Sequence, residues 1–235
     1  MSTDTSYLAD NWARIRQRVD AACRAAGRDP AEVGILPVSK TFDAEVIRAA
    51  VALGLHRFGE NRVQEIRDKS PALAGCGIDW VVIGHLQTNK ARDVARLASE
   101  VQSLDRLELA EALDRRLQHE GRQLDVLIQV KTSPEPSKYG LAPAQLPDFL
   151  NQLRSFARLR VRGLMTLAIQ SSDPAEVRAC FRALRRLREQ AVSQGHDLPT
   201  LSMGMSGDFA LAIAEGASEV RIGTAIFGRR PGAPA

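Results

Sequence analysis

Short apolar runs alternate with amphipathic runs along nearly the whole chain. The apolar runs are ILPVSK (35–40), HRFGE (56–60), DWVVIG (79–84), VQSLD (101–105), LDVLIQVKT (124–132), LRVRGLMTLA (159–168), TLSMGMS (200–206) and EVRIGTAIFG (219–228). They read as strands. Between them lie helical patterns such as AEVIRAAVALG, NKARDVARLASE, RLELAEALDRRLQHEG and DPAEVRACFRALRRLREQAVSQG. In the last, Asp173 suits an N-cap, Pro174 the first helical position and Gly195 the stop. Strands alternating with helices imply parallel pairing through βαβ units. Eight such strands predict an α/β fold, a single (β/α)8 TIM-type barrel. A doubly wound open sheet is the alternative that the pattern leaves. The opening MSTDTSYLADNWARIRQRVD reads as an extra amphipathic helix, so residues 1–30 are expected to pack on a barrel of residues 31–230. Residues 231–235 are expected to fray. Pro37 is a mild misfit inside the first strand, because it has no N–H to donate to a ladder.

Composition narrows the function classes. The chain has 235 residues, 44% hydrophobic and 26% charged, an ordinary globular balance. No apolar run approaches the roughly 18 residues of a membrane span, and the N-terminus lacks the apolar stretch of a secretion signal. Three scattered cysteines, Cys23, Cys76 and Cys180, show neither metal spacing nor a disulfide framework. A reduced cytoplasm is the expected compartment. The net charge of +4 comes from 32 basic and 28 acidic residues of interleaved sign. That mixture does not point to nucleic acid. The densest basic stretch, Arg178, Arg182, Arg185, Arg186 and Arg188, lies on one predicted helix and reads as a solvated face.

Barrel sites form at the C-terminal ends of the strands. The first predicted strand ends at Lys40, and alternation puts Leu36, Val38 and Lys40 on one face. An amine above an apolar column is desolvated, which lowers its pKa and raises its nucleophilicity. A lysine reaching out to solvent is the other reading. In the last strand Val220 and Ile222 share one face, so Arg221 on the other should point into the barrel. It serves there either as a ligand-binding cation or in a structural ion pair. GMSGD (204–208) and Gly223–Thr224 are glycine-bearing turns after strands seven and eight, where barrels commonly bind phosphate. Their amides, with the Ser206 and Thr224 hydroxyls, are candidate anion donors. FGEN places Glu60 and Asn61 after strand two, and GHLQTNK places His85, Asn89 and Lys90 after strand three. His85 fits a structural role better than a ligand role. No zinc spacing, GxGxxG or P-loop motif is present.

Seven segments, VSKT (38–41), FGENRVQE (58–65), IGHLQTNK (83–90), SKYG (137–140), RGLM (162–165), LSMGMSGD (201–208) and VRIGTAIFG (220–228), resemble the YggS/PROSC family, the pyridoxal phosphate homeostasis proteins. The resemblance runs from about Val33 to Gly228. It implies the barrel of the alanine racemase N-terminal domain, with pyridoxal 5'-phosphate (PLP) as cofactor, held as a Schiff base on Lys40. By the same resemblance Arg221 meets the pyridine nitrogen, Ser206, Gly207, Gly223 and Thr224 hold the phosphate, and Asn61 lines the ring pocket. Two positions depart from the family's habit: Arg62 stands where tyrosine is frequent, and Phe42 where lysine is frequent.

The function so implied is intracellular PLP buffering and delivery without established turnover. The expected partners are PLP and PLP-requiring apoenzymes, with no nucleic acid and no membrane, and the expected state is a monomer. An amino-acid racemase is the alternative. A barrel enzyme using Lys40 as an aldolase-type amine on a phosphorylated metabolite is a third class. Racemisation needs an acid/base group on each face of the substrate carbon. The two tyrosines available, Tyr7 and Tyr139, are expected to be ordinary surface or loop packing.

Overall fold

The computed structural model describes residues 5–228 of the 235. The expected frayed tail, 231–235, lies outside them. Eight parallel strands form one sheet: β1 Gly34–Pro37, β2 Arg57–Glu60, β3 Asp79–Val82, β4 Ala98–Leu104, β5 Leu124–Gln129, β6 Leu159–Met165, β7 Thr200–Ser202 and β8 Glu219–Ile222. The hydrogen-bonded order β1-β8-β7-β6-β5-β4-β3-β2 wraps around until β1 and β2 meet. They join through a single parallel bridge, Val38 to Gly59. The fold is therefore the expected barrel rather than an open doubly wound sheet.

Pro37 explains why that last seam is thin. Val38 N donates to Ile222 O on β8, and Ser39 N donates to Gly59 O on the β2 side. Alternation therefore points the Pro37 nitrogen toward β2, where it has no proton to give. The proline stands at a junction carried by a single bridge, which resolves the misfit.

The strands are shorter than the apolar runs. The first stops at Pro37, so Lys40 stands in a turn three residues beyond it and not on a strand end. The seventh stops at Ser202, well before Ser206. The eighth stops at Ile222, and Thr224–Phe227 turn into a short helix. At the mouth the chain leaves the sheet to make loops, so hydrophobicity continues past the last ladder bond.

Helices α1 Tyr7–Ala25, α2 Ala44–Ala52, α3 Val63–Lys69, α4 Ala91–Leu97, α5 Leu107–Glu120, α6 Leu146–Leu153, α7 Pro174–Ser193, α8 Phe209–Ala214 and α9 Thr224–Phe227 surround the sheet. The core lies between sheet and helices. Val220 and Ile222 join it, both fully buried, which leaves Arg221 to the inside. Helix α1 buries Leu8, Ile15, Val19 and Cys23, a one-sided stripe, against α8 and α9. Each large apolar side chain so buried contributes about 1.5–3 kcal/mol. Polar bonds fix the contact: Asn11 Nδ2 donates to Ile226 O at 2.9 Å, and the Tyr7 hydroxyl to Phe227 O at 3.0 Å. Phe42 packs in the same region against Phe227, the rings tilted and their centroids 5.3 Å apart.

The arginine stretch on α7 is not simply a solvated face. Arg178 Nε and Arg182 Nη2 lie 2.9 and 3.0 Å from Glu215 Oε1, and Arg185 Nη1 lies 3.5 Å from Oε2. The Glu215 side chain is only 3% exposed. The helix that contributes the cations and the loop that contributes the acid are distant in sequence, so helical periodicity alone could not pair them.

Candidate functional site

The barrel has a polar floor and an open mouth. At the floor, Arg57 on β2 bonds Glu100 on β4 at 2.6 Å and also pairs with Glu219 on β8. Gln102 Nε2 donates to Glu100 Oε1 at 2.8 Å and to Glu219 Oε1 at 2.5 Å. The Ser202 hydroxyl lies 2.7 Å from Gln102 Oε1 and 3.0 Å from Glu219 Oε1. Burial acts to lower the Arg57 pKa, but the carboxylates of Glu219 and Glu100 outweigh it and hold the guanidinium above its usual range. Burial pushes the Glu100 carboxyl up, against the pull of Arg57.

This network ends on Arg221, the step from floor to site. Arg221 Nη1 donates to Ser202 Oγ at 2.8 Å and Nη2 to Thr166 O at 2.8 Å. The guanidinium is buried, and among the described residues no carboxylate touches it directly. Burial depresses its pKa to about 10, which leaves it protonated at neutral pH. Five N–H donors are available on arginine, and these two bonds do not exhaust them.

Above Arg221 lies a cavity of about 500 Å³. Lys40, Asn61, Ser206, Gly207, Arg221, Gly223 and Thr224 all line it. They arrive from four strand ends: the turn after β1, the end of β2, the turn after β7 and the start of α9. Two glycines make that convergence possible. A Cβ on Gly84 would stand 2.2 Å from Asn61 O, so only glycine lets the end of β3 pass under the Asn61 backbone. Gly204 has φ +92, and its Cβ would stand 2.6 Å from the Ala212 Cβ. It therefore sets the turn that brings Ser206 and Gly207 to the rim. The side chains of Asn61, Ser206 and Thr224 have no hydrogen-bond partner among the described residues.

The Lys40 turn is tied down on both sides. Ser39 Oγ donates to Glu60 Oε1 at 2.7 Å, and Thr41 N donates to Glu65 Oε2 at 2.7 Å. Lys69 Nζ joins the two acids, 2.8 Å from Glu60 Oε1 and 3.2 Å from Glu65 Oε2. Burial raises the Glu60 carboxyl to about 7 despite Lys69.

The cavity also has walls that the sequence reading did not assign to it. Tyr139 and Lys138 from SKYG, Gln129 from β5 and His85 line it. Tyr139 is 58% exposed and stacks on His85 with ring centroids 4.0 Å apart and planes 17° from parallel. Tyr7 caps Phe227 and is not among the cavity residues, as expected of packing, whereas Tyr139 belongs to the site. The SKYG motif was the available signal: a tyrosine beside a glycine, in a loop that follows a barrel strand. A second groove of about 440 Å³ shares Asn61 and His85 with the cavity and continues along Arg62, Gln87 and Lys90. Among the described residues no cluster of His, Cys, Asp and Glu could hold a metal ion, and no helix is long and apolar enough to cross a membrane.

An amine, a guanidinium and neutral anion donors lining one cavity can hold a planar phosphorylated aldehyde at three points. Comparison with known proteins agrees with that chemistry. The alanine racemase N-terminal domain model matches residues 3–231. The pyridoxal phosphate homeostasis protein of Pseudomonas aeruginosa is 45% identical, covering 98% of this chain and 99% of that protein. PipY of Synechococcus elongatus, whose structure was solved with PLP bound, is 37% identical, with a TM-score of 0.83 over 94% of this chain and 100% of that one. An alanine racemase of Clostridium difficile shares the fold at a TM-score of 0.73 and 13% identity, over 96% of this chain and 57% of that one. The chain belongs to the pyridoxal phosphate homeostasis protein family.

Proposed function

We propose that this protein holds PLP in the barrel mouth and serves in its storage and delivery within a reduced cytoplasm. The observation that carries the reading is the convergence of Lys40, Arg221 and the Ser206–Gly207 and Gly223–Thr224 turns on one cavity. Its volume falls within the roughly 300–1,000 Å³ of small-ligand pockets. PLP supplies an aldehyde that bonds a primary amine, and the proposed amine is Lys40. The two turns offer backbone amides and hydroxyls to the phosphate without adding charge. Arg221, protonated and held by Ser202 and Thr166, can only donate toward the pyridine nitrogen. It therefore favours an unprotonated ring, a weaker electron sink for a carbanion. Asn61 borders the ring. PLP-requiring apoenzymes are the proposed recipients, and a monomer the proposed state.

One observation favours the racemase reading. Tyr139 stands at the cavity edge, where a second acid/base group would be needed opposite Lys40. Two experiments separate the readings. Protein mixed with PLP and then freed of unbound PLP should keep a visible aldimine band that borohydride abolishes; a barrel enzyme for some other phosphorylated metabolite would come through colourless. PLP-loaded protein should then leave alanine and serine unracemised and their α-protons unexchanged in deuterated water. Turnover near 1 s⁻¹, inside the common enzyme range, that vanished in Tyr139→Phe would establish the racemase instead.

A further inference from the structure

The turn bearing Lys40 is held by more than chain reversal requires. Each polar group of Ser39 is engaged. Its N–H donates to Gly59 O at 3.0 Å, and its carbonyl accepts from Phe42 N at 3.1 Å and from Lys69 Nζ at 3.2 Å. Its hydroxyl donates to Glu60. On the other side of Lys40, Thr41 has φ +71, the single positive φ at a non-glycine position among the described residues. A left-handed threonine costs about 1–2 kcal/mol, and glycine would avoid that cost. What holds Thr41 there is the Glu65 carboxylate on its N–H. Glu65 and Lys69 are one turn apart on α3, and Lys69 also carries Glu60, which is wholly buried. Glu60 Oε2 has no hydrogen-bond partner among the described residues. Burying a carboxylate and an ammonium costs several kcal/mol per ion before their attraction offsets it. These demanding features all meet on the two residues that flank Lys40.

We infer that Glu60, Glu65 and Lys69 are positioning residues for Lys40. They lock the Ser39–Thr41 backbone so that the amine enters the cavity, and the rate at which Lys40 captures PLP depends on that lock. The inference rests on the PLP reading above. It assigns work to three residues of FGENRVQEIRDK, Glu60, Glu65 and Lys69, that are not among those lining the cavity. It also has a specific corollary. Glu65 acts by holding a left-handed backbone at residue 41, so a glycine there should make Glu65 dispensable.

The test compares wild type with Glu65→Ala, Lys69→Met, Thr41→Gly and the double variant Thr41→Gly/Glu65→Ala, each freed of cofactor. Stopped-flow absorbance gives the rate of covalent capture on mixing with PLP. Calorimetric titration with pyridoxine 5'-phosphate, which lacks the aldehyde, gives the affinity of the cavity independent of Lys40. Glu65→Ala and Lys69→Met should slow capture about tenfold or more, equivalent to at least one 1.4 kcal/mol step in barrier. Their affinity for pyridoxine 5'-phosphate should stay within about twofold. The double variant should recover to within about threefold of wild type. Glu65→Gln, close in shape, serves if Glu65→Ala does not fold, and should slow capture by a smaller factor in the same direction. Capture at the wild-type rate in Glu65→Ala and Lys69→Met overturns the inference. So does an equal loss of pyridoxine 5'-phosphate binding, which marks general damage, and so does failure of Thr41→Gly to rescue. A wild type that never captures PLP refutes the underlying reading as well, and is distinguished by its own absent band.

Discussion

The floor and the mouth of this barrel are both polar, but they are polar in different ways. At the floor Arg57, Glu100, Gln102, Ser202 and Glu219 bond one another from four strands, and two carboxylates balance the charges of Arg57 and Arg221. At the mouth Asn61, Ser206 and Thr224 offer side chains to a cavity, with no partner among the described residues. A group satisfied by its neighbours contributes to folding; a group that lines a cavity is placed to meet a ligand. Arg221 belongs to both regions. It hangs from the floor through Ser202 and also lines the cavity. Mutations should therefore separate the two regions, with floor variants failing in stability and mouth variants failing in binding.

The largest expected effect is at the mouth. Lys40→Ala should lose the visible band with PLP altogether while its melting temperature without PLP stays near wild type; a large fall in melting temperature would make Lys40 a structural residue. Next is the floor. Glu219→Leu strips Arg57 of a buried partner and should cost about 3–5 kcal/mol, read as a lower denaturant midpoint. A loss below about 1 kcal/mol would show that the floor pairs act like exposed ones.

Glu60 gives a pH signature intermediate in size. Its folded pKa of about 7 lies above the ordinary 4.5 because burial favours the neutral acid. Between those values the native state binds more protons than the unfolded one. Its contribution is full below about pH 4.5 and is lost as pH rises through 7, up to on the order of 3 kcal/mol. Glu60→Gln should flatten the stability profile over that window, and an unchanged slope would remove Glu60 as its source. The smallest effect is again at the mouth. Thr224→Val removes one hydroxyl from the turn proposed to hold the phosphate and should weaken PLP binding by about 1.5–3 kcal/mol, with pyridoxal, which lacks phosphate, unaffected. Equal losses for both would detach Thr224 from the phosphate.

The contrast also explains what could be read from the chain beforehand. Strand and helix alternation is a local signal, and it led to the eight-stranded barrel. Val220 and Ile222 flank Arg221, so their burial implied its inward direction. Strand ends were less legible, because apolar residues continue past the last ladder bond; Lys40 sits in a turn for that reason. The pairings were not legible at all. Arg57 meets Glu219 across 162 residues, and Arg178 meets Glu215 across 37. Nothing in the period of either segment encodes such a partner. Tyr139 entered the site by the path of a loop, which has no period to read. Thr41 was hidden for a different reason: a threonine gives no sign of a left-handed backbone, and the carboxylate that accepts its N–H lies 24 residues away.

The central claim is that the amine meeting PLP is Lys40. Protein loaded with PLP, reduced with borohydride, digested and mapped by mass spectrometry tests it most directly, because Lys138 lines the same cavity and Lys90 the adjoining groove. The account predicts one dominant pyridoxyl adduct, on Lys40, absent from Lys40→Ala. An adduct chiefly on Lys138 or Lys90 would contradict it.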